Sequence, residues 1–469
     1  MVWKRLLLLC LIAVLAMPVA LAEEKQEISI GVLVDLSGPL TTYGMDIKNT
    51  LEIAKEDINK YFEEKGLPYE VELYVEDTRV DPKIALDKVQ TLYGKGINLI
   101  IGPMGSGEVK NVKDFVTANK IIIISPSSTA LPSLIGVTKP EEKKYIFRFV
   151  GTDDLQTDAI AGELKDLGIK AVVITYIGNA WGRGLYETIK PKLEAAGIEI
   201  KTYVEYPDPP PADFSSYIAA MESAVSDLLK TYSPSEVAIV AFSYEEVASI
   251  LAQTKEDSVL FNVLWIGCDG TALSGKVLEV CDKAKKVGLY STLFEAKGKV
   301  YEDLKKKYKE KGLGEEPYQY AMNAYDAAWV IALSYVEVMN ELGTYDPDAM
   351  AEKIPVVTEN YSKGVYGVEP VTGYIILNEW NDRASGDYSI YYVTEECKWE
   401  KAGLWKFETK TIEWIHKPTV PTPTPTPTPP PTTPPPTTPA PTPTPTPGFE
   451  AIFAIAGLIA IAYLLRRRP

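Results

Sequence analysis

The sequence predicts an α/β protein of two doubly wound, parallel-sheet lobes, and three observations predict it. Short, unbroken β-branched runs alternate with segments of helical periodicity, the pattern of parallel strands covered on both faces. The series runs once, stops after Phe147-Arg148-Phe149, and then starts again. The stretch 23–416 is also the right length for two such lobes within a chain of 469 residues. In order, Ile28 to Val34 reads as a strand and Tyr43 to Phe62 as a helix. Tyr69 to Val75 is a strand and Pro82 to Tyr93 a helix. Asn98 to Ile101 and Ile121 to Ile124 are short buried strands. The second series places strands at Ala171 to Tyr176, Ile198 to Val204, Val237 to Phe242 and Val263 to Ile266, with helical segments between.

The ends read differently. Residues 1–22 form a secretory signal: Lys4-Arg5, an apolar run from Leu6 to Met17, and Ala20-Leu21-Ala22 before Glu23. From Pro418 to Pro447, 28 of 30 residues are Pro or Thr. Proline removes donors and holds such a chain in polyproline II, so 417–447 reads as a stalk, extending about 3.1 Å per residue. Its threonines suit O-glycosylation. Residues 448–469 then read as a sorting signal or membrane anchor. Pro447-Gly448-Phe449 precedes an apolar stretch, Ala451 to Leu465, expected to be a transmembrane helix, and Arg466-Arg467-Arg468 marks the inner side. This order resembles the archaeal Pro-Gly-Phe C-terminal sorting signal, which implies processing by an archaeosortase-like enzyme. The expected location is the outer face of the cell membrane.

Charge narrows the function. The formal net charge is −16, and the basic residues at the two ends make the body between them more acidic still. A nucleic-acid binder would show a basic patch or stripe, so nucleic acid is not an expected partner. The single histidine, His416, leaves little room for histidine-metal or His-dependent catalytic sites. There is no G-x-S-x-G elbow, Cys-His pair or metal-spaced cluster, so no enzyme and no cofactor is expected.

Doubly wound sheets bind ligands in the loops at the carboxyl ends of their strands. Six such loops carry usable chemistry. Asp35 to Pro39 leads to Tyr43-Gly44, and Gly102 to Gly107 carries Ser106 just before a helix. Glycines there let the backbone approach an anion, and the helix start favours negative charge. The glycine order differs from G-x-G-x-x-G and no G-K-[ST] follows, so a nucleotide is not expected. Ser127 and Thr129 follow the next strand and add hydroxyls on the same lip. In the second series, Asn179 to Gly182 carries Trp181, Ser243 leads to Tyr244, and Gly267 to Gly270 carries Asp269. A carboxylate at Asp269 can pair with an ammonium, or cap a helix starting near Leu273. Tyr43, Trp181, Tyr244 and Tyr320 are candidate aromatic walls for an apolar side chain or a cation. Outside the cell, Cys268, Cys281 and Cys397 favour one disulfide. Cys268–Cys281 closes the shortest loop and is preferred, with the other two pairings open.

Taken together, Ile100-Ile101-Gly102-Pro103, Ile124 to Thr129, Phe147-Arg148, Trp181-Gly182 and Gly267 to Gly270 resemble the type I periplasmic-binding proteins. The nearest set is the Leu/Ile/Val receptors of ABC importers, and the likeness covers about Ile28 to Val393. It implies a three-segment hinge, with lobe 1 formed by 23–150 and 292–350 and lobe 2 by 151–291 and 351–416. It implies that Ser106, Ser127 and Thr129 hold an amino acid's α-carboxylate and α-ammonium, with Asp269 on the ammonium. Tyr43 and Trp181 would line the side-chain pocket, with Tyr244 and Tyr320 as further walls and Asp153 at the hinge-side rim. The implied function is capture of a branched-chain or other apolar amino acid and its delivery to an ABC permease and ATPase, by a monomer. The alternative is a surface sensor, or a receptor for a small amide or other small polar solute.

Overall fold

The computed structural model describes residues 25–419. The signal segment, nearly all of the stalk, and 448–469 lie outside the described residues. The transmembrane helix expected over Ala451 to Leu465 falls on those residues, and among the described residues no helix is long and apolar enough to cross a membrane.

Two sheets organise the body. The first has five parallel strands in the order β2-β1-β3-β4-β5: Gln26–Val34 (β1), Tyr69–Asp77 (β2), Leu99–Ile101 (β3), Ile122–Ser125 (β4) and Ile146–Arg148 (β5). The second orders β13-β12-β11-β10-β9-β8-β6-β7. Its parallel part is Ala171–Ile177 (β6), Glu199–Tyr206 (β7), Val237–Phe242 (β8), Leu264–Gly267 (β9) and Leu289–Glu295 (β10). Every residue of β3, β4, β6 and β8 is buried, as expected where helices cover both faces.

The second sheet carries an extension that its first half does not announce. Asp387–Val393 (β11), Trp399–Lys406 (β12) and Thr411–Trp414 (β13) add antiparallel strands beyond β10. Both late crossings therefore fall later than expected. β10 runs through residue 292 to Glu295 within the second sheet. The helix Pro347–Ser362 packs on the helix Gln319–Leu342 and on β4, beside the first sheet rather than the second.

The returning segment is pinned by a buried ion cluster. Arg148 grips Asp382 through two contacts of 2.6 Å, and Lys143 reaches the same carboxylate at 2.6 Å. Burial pushes the Lys143 amine down to about 8, with Asp382 opposing. Breaking one partner of such a cluster strands a buried charge, so it holds the crossing segment in place.

One buried acid has no such compensation. Glu163, on the helix Asp153–Asp166, has neither carboxylate oxygen hydrogen-bonded within the protein. Burial pushes it up to about 8. The folded state thus holds a proton that the unfolded chain releases near its ordinary value. This contribution is fully present at low pH and is lost as pH rises through about 8. Glu163→Gln should therefore leave the melting temperature at pH 5 nearly unchanged. At pH 9 it should raise stability by roughly a few kcal/mol, because glutamine has no buried charge to form and each pKa unit of the shift is worth about 1.4 kcal/mol. Thermal unfolding followed by circular dichroism at both pH values checks this; equal shifts at the two values would contradict it.

Candidate functional site

The loops at the carboxyl ends of both sheets converge on one small cavity of about 30 Å³. Each wall is fixed by its local sequence. After β1, the Asp35 carboxylate accepts the backbone N–H groups of Ser37, Gly38 and Leu40, which ties the loop into a tight turn. Gly44 is required beside it, because a Cβ there would lie 1.8 Å from the Asp35 carbonyl oxygen. That packing seats Tyr43, which is buried, at the start of the helix Thr41–Lys65.

Ser106 opens the helix Ser106–Ala118. Its hydroxyl oxygen accepts from Ala130 N at 3.1 Å and from Ser128 Oγ at 3.0 Å. With both lone pairs engaged, what remains is its own O–H, a donor at a helix start, where negative charge is favoured. Ser127 donates to the Met104 carbonyl at 3.1 Å and keeps its lone pairs. Beneath them, Glu108 accepts the Gly105 N–H at 2.6 Å, and burial pushes its carboxyl up to about 8.

The opposite wall comes from the second sheet. Asn179 caps the helix Ala180–Ala196 by accepting from Trp181 N and Gly182 N, which fixes the indole. Trp181 stacks on Tyr244 with ring centroids 4.6 Å apart. Asp269 follows β9 and does not cap a helix. Ser274 takes that role, accepting from Val277 N ahead of the helix Gly275–Glu279. Asp269 Oδ2 accepts from the Tyr320 hydroxyl at 2.6 Å, while its Oδ1 is buried with no partner in the protein. Burial raises its carboxyl, and the Tyr320 hydroxyl opposes that shift.

Seven of the nine expected residues line this cavity: Tyr43, Ser106, Ser127, Trp181, Tyr244, Asp269 and Tyr320. Thr129 and Asp153 do not. They pack together behind it, with Asp153 N donating to the Thr129 carbonyl at 2.8 Å. The Thr129 hydroxyl and both Asp153 carboxylate oxygens are buried without partners. Burial, reinforced by the charge of Asp269, holds the Asp153 carboxyl well above its ordinary range. Leu40 and Met104 also line the cavity, and Tyr318 backs it, stacking on Tyr43 at 4.5 Å. Nothing in their local sequence marks them, since each sits among ordinary core residues. The preferred disulfide is corrected as well. Cys281 pairs with Cys397, and Cys268 is a buried free thiol.

The two walls are bolted together across the cleft. The Tyr43 hydroxyl reaches the carbonyls of Gly270 at 3.2 Å and Ala272 at 3.0 Å. Nearer the lip, the buried Glu245 carboxylate accepts from Thr42 at 2.7 Å and from Ser274 at 2.8 Å, and Lys276 adds an ion pair at 3.4 Å. The structure is thus a closed form. The site presents a hydroxyl donor at one end and a surplus of acceptors at the other, and no lysine or arginine lines it. A small zwitterion matches both ends.

A family model described as periplasmic binding protein matches residues 27–394. A model of the PGF-CTERM motif matches residues 446–468. An uncharacterized protein of Methanocaldococcus jannaschii is 51% identical over 394 residues, covering 84% of this chain and 93% of that one. The Leu/Ile/Val-binding protein BraC3 of Rhizobium johnstonii is 31% identical over 208 residues, 43% of this chain, and the match spans about half (53%) of its own length. A leucine binding protein, LivK, from Thermotoga maritima superposes with a TM-score of 0.64 at 22% identity. It covers 80% of this chain and 98% of its own, a likeness of fold.

Proposed function

The chain belongs to the periplasmic binding protein family, and from that premise we propose that it captures an amino acid between its lobes and delivers it to an ABC permease. Family members of this kind bind solutes and carry out no reaction, and the PGF-CTERM motif tethers this one at an archaeal cell surface. The observation that carries the reading is the pairing of opposite ends in one cavity. Ser106 offers an O–H beside a helix start, and Asp269 offers an unpartnered, buried carboxylate oxygen.

In this reading the α-carboxylate lies against Ser106 and Ser127 and the α-ammonium against Asp269. Thr129 and Asp153 support the ammonium from behind, and Tyr43, Trp181, Tyr244 and Tyr320 enclose the side chain. The ligand first meets the lobe bearing Ser106, and the second lobe then closes over it. Asp269 reaches the ammonium only in the closed form, and that differential contact shifts the balance toward closure. The permease recognises the closed form, its ATPase works from within, and an archaeosortase-like enzyme processes the C-terminal signal. The stalk keeps the receptor near its permease and raises the effective concentration.

The closing contacts supply a test. The Tyr43 hydroxyl bonds across the cleft and not to the ligand, so Tyr43→Phe should weaken amino-acid binding without altering which amino acid is preferred. A net hydrogen bond contributes about 0.5–1.5 kcal/mol, which is roughly a 2- to 13-fold loss of affinity. Calorimetric titration of the variant and the unaltered chain reads this directly. An unchanged affinity would show that closure over Gly270 and Ala272 plays no part in binding.

A further inference from the structure

Resting on the amino-acid reading, we propose that the Trp181–Tyr244 stack limits the ligand to an alanine-sized apolar side chain. The closed cavity measures about 30 Å³. Ligand sites commonly measure roughly 300–1,000 Å³, and one water-sized group needs about 10–15 Å³. A cavity this small must gain space from its walls to take any amino acid, so the question is which walls yield.

The aromatic wall is braced on every side. The Tyr244 main-chain N–H donates to Glu246 Oε1 at 3.0 Å, and its hydroxyl receives Asn179 Nδ2 at 3.3 Å. Asn179 also fixes the Trp181 backbone through the helix cap. Against Gly270, which lines the same cavity, the rings have no slack. A Cβ on Gly270 would lie 2.9 Å from Trp181 Cη2 and 3.1 Å from Tyr244 Cδ1, so the rings already rest on that backbone. Across the cavity, Tyr43 is held by its two carbonyl partners and by the stack with Tyr318.

Widening the closed cage by several methylenes would break these hydrogen bonds or part the stack, and both oppose it. The polar ends behave differently. The Ser106 O–H and Asp269 Oδ1 have no partner within the protein to give up when a ligand arrives. A methyl group fits the remaining space with small adjustments, whereas an isobutyl group holds the lobes apart and forfeits the contacts of Tyr43 and Glu245 across the cleft.

Calorimetric titration of the full chain with L-alanine, L-valine and L-leucine tests the proposal. The expected order is alanine tightest and leucine weakest. An extra methylene in a filled pocket changes affinity by roughly 10–200-fold, so leucine should bind at least about 100-fold more weakly than alanine. Trp181→Leu should narrow that ratio at least tenfold by raising leucine affinity. Tyr244→Leu should act in the same direction and carries the test if Trp181→Leu does not fold. Leucine binding as tightly as alanine in the unaltered chain would overturn the size limit and leave the amino-acid reading intact. If neither leucine variant shifts the ratio, the limit does not lie in this stack. If no amino acid of any size binds, the amino-acid reading fails and the limit falls with it.

Discussion

Asp269→Ala should remove amino-acid binding while leaving the unliganded protein folded. In the closed form this carboxylate has one oxygen satisfied by Tyr320 and one buried oxygen with no partner. An ammonium supplies both the missing hydrogen bond and the missing charge. Truncating one member of a buried, hydrogen-bonded charge pair costs about 2–5 kcal/mol, roughly 30- to several-thousand-fold in affinity. The unliganded protein should tolerate the change, because burial already disfavours this carboxylate and raises its carboxyl. Asp269→Asn keeps an oxygen for Tyr320 and loses the charge, so its affinity should fall between the two.

The sign with pH follows from the same shift. The ligand needs the ionised form, so affinity should fall as pH drops from 7 through the raised range of this group, earlier than for an ordinary aspartate. Titrations at pH 7 and pH 5 with both variants check the account. If Asp269→Ala binds within threefold of the unaltered chain, the ammonium does not meet this residue.

Reduction of the Cys281–Cys397 bond should lower stability by about 2–5 kcal/mol, the usual range for a native disulfide closing a long loop. The two cysteines are 116 residues apart in sequence. The bond ties the helix Cys281–Lys286, just past the Asp269 loop, to the turn after β11. Cys281→Ala should reproduce the loss in denaturant unfolding. Cys268→Ala removes only a small buried side chain and should cost about 1 kcal/mol. Peptide mapping without reductant should yield Cys281 linked to Cys397. A Cys268–Cys281 peptide, or unfolding indifferent to reductant, would contradict the structure.

Much of the site was legible because of where doubly wound sheets bind ligands. The strand-end rule selects short loops, and those loops happened to hold Ser106, Ser127, Trp181, Tyr244 and Asp269. Partners brought from far along the chain were less legible. Tyr318 arrives from just ahead of a helix whose residues are mostly buried, so periodicity cannot separate its support of Tyr43 from an ordinary core role. The cleft contact between Thr42 and Glu245 joins residues 203 apart, and neither neighbourhood announces it. The disulfide was missed for a related reason. Loop length favoured Cys281 with Cys268, but the antiparallel pairing of β10 with β11 carries the turn holding Cys397 toward the helix of Cys281. Thr129 follows from the strand-end rule and Asp153 from resemblance alone, and neither lines the cavity.

The central claim is that this chain closes around an amino acid, and thermal unfolding of the full chain with and without amino acids tests it most directly. A ligand at 100 times its dissociation constant adds about 2.7 kcal/mol of stability. The account predicts that an apolar amino acid raises the melting temperature of the unaltered chain by several degrees, and that Asp269→Ala abolishes the rise. No shift with any amino acid at millimolar concentration, against a clear shift with a small amide or another uncharged solute, would contradict it.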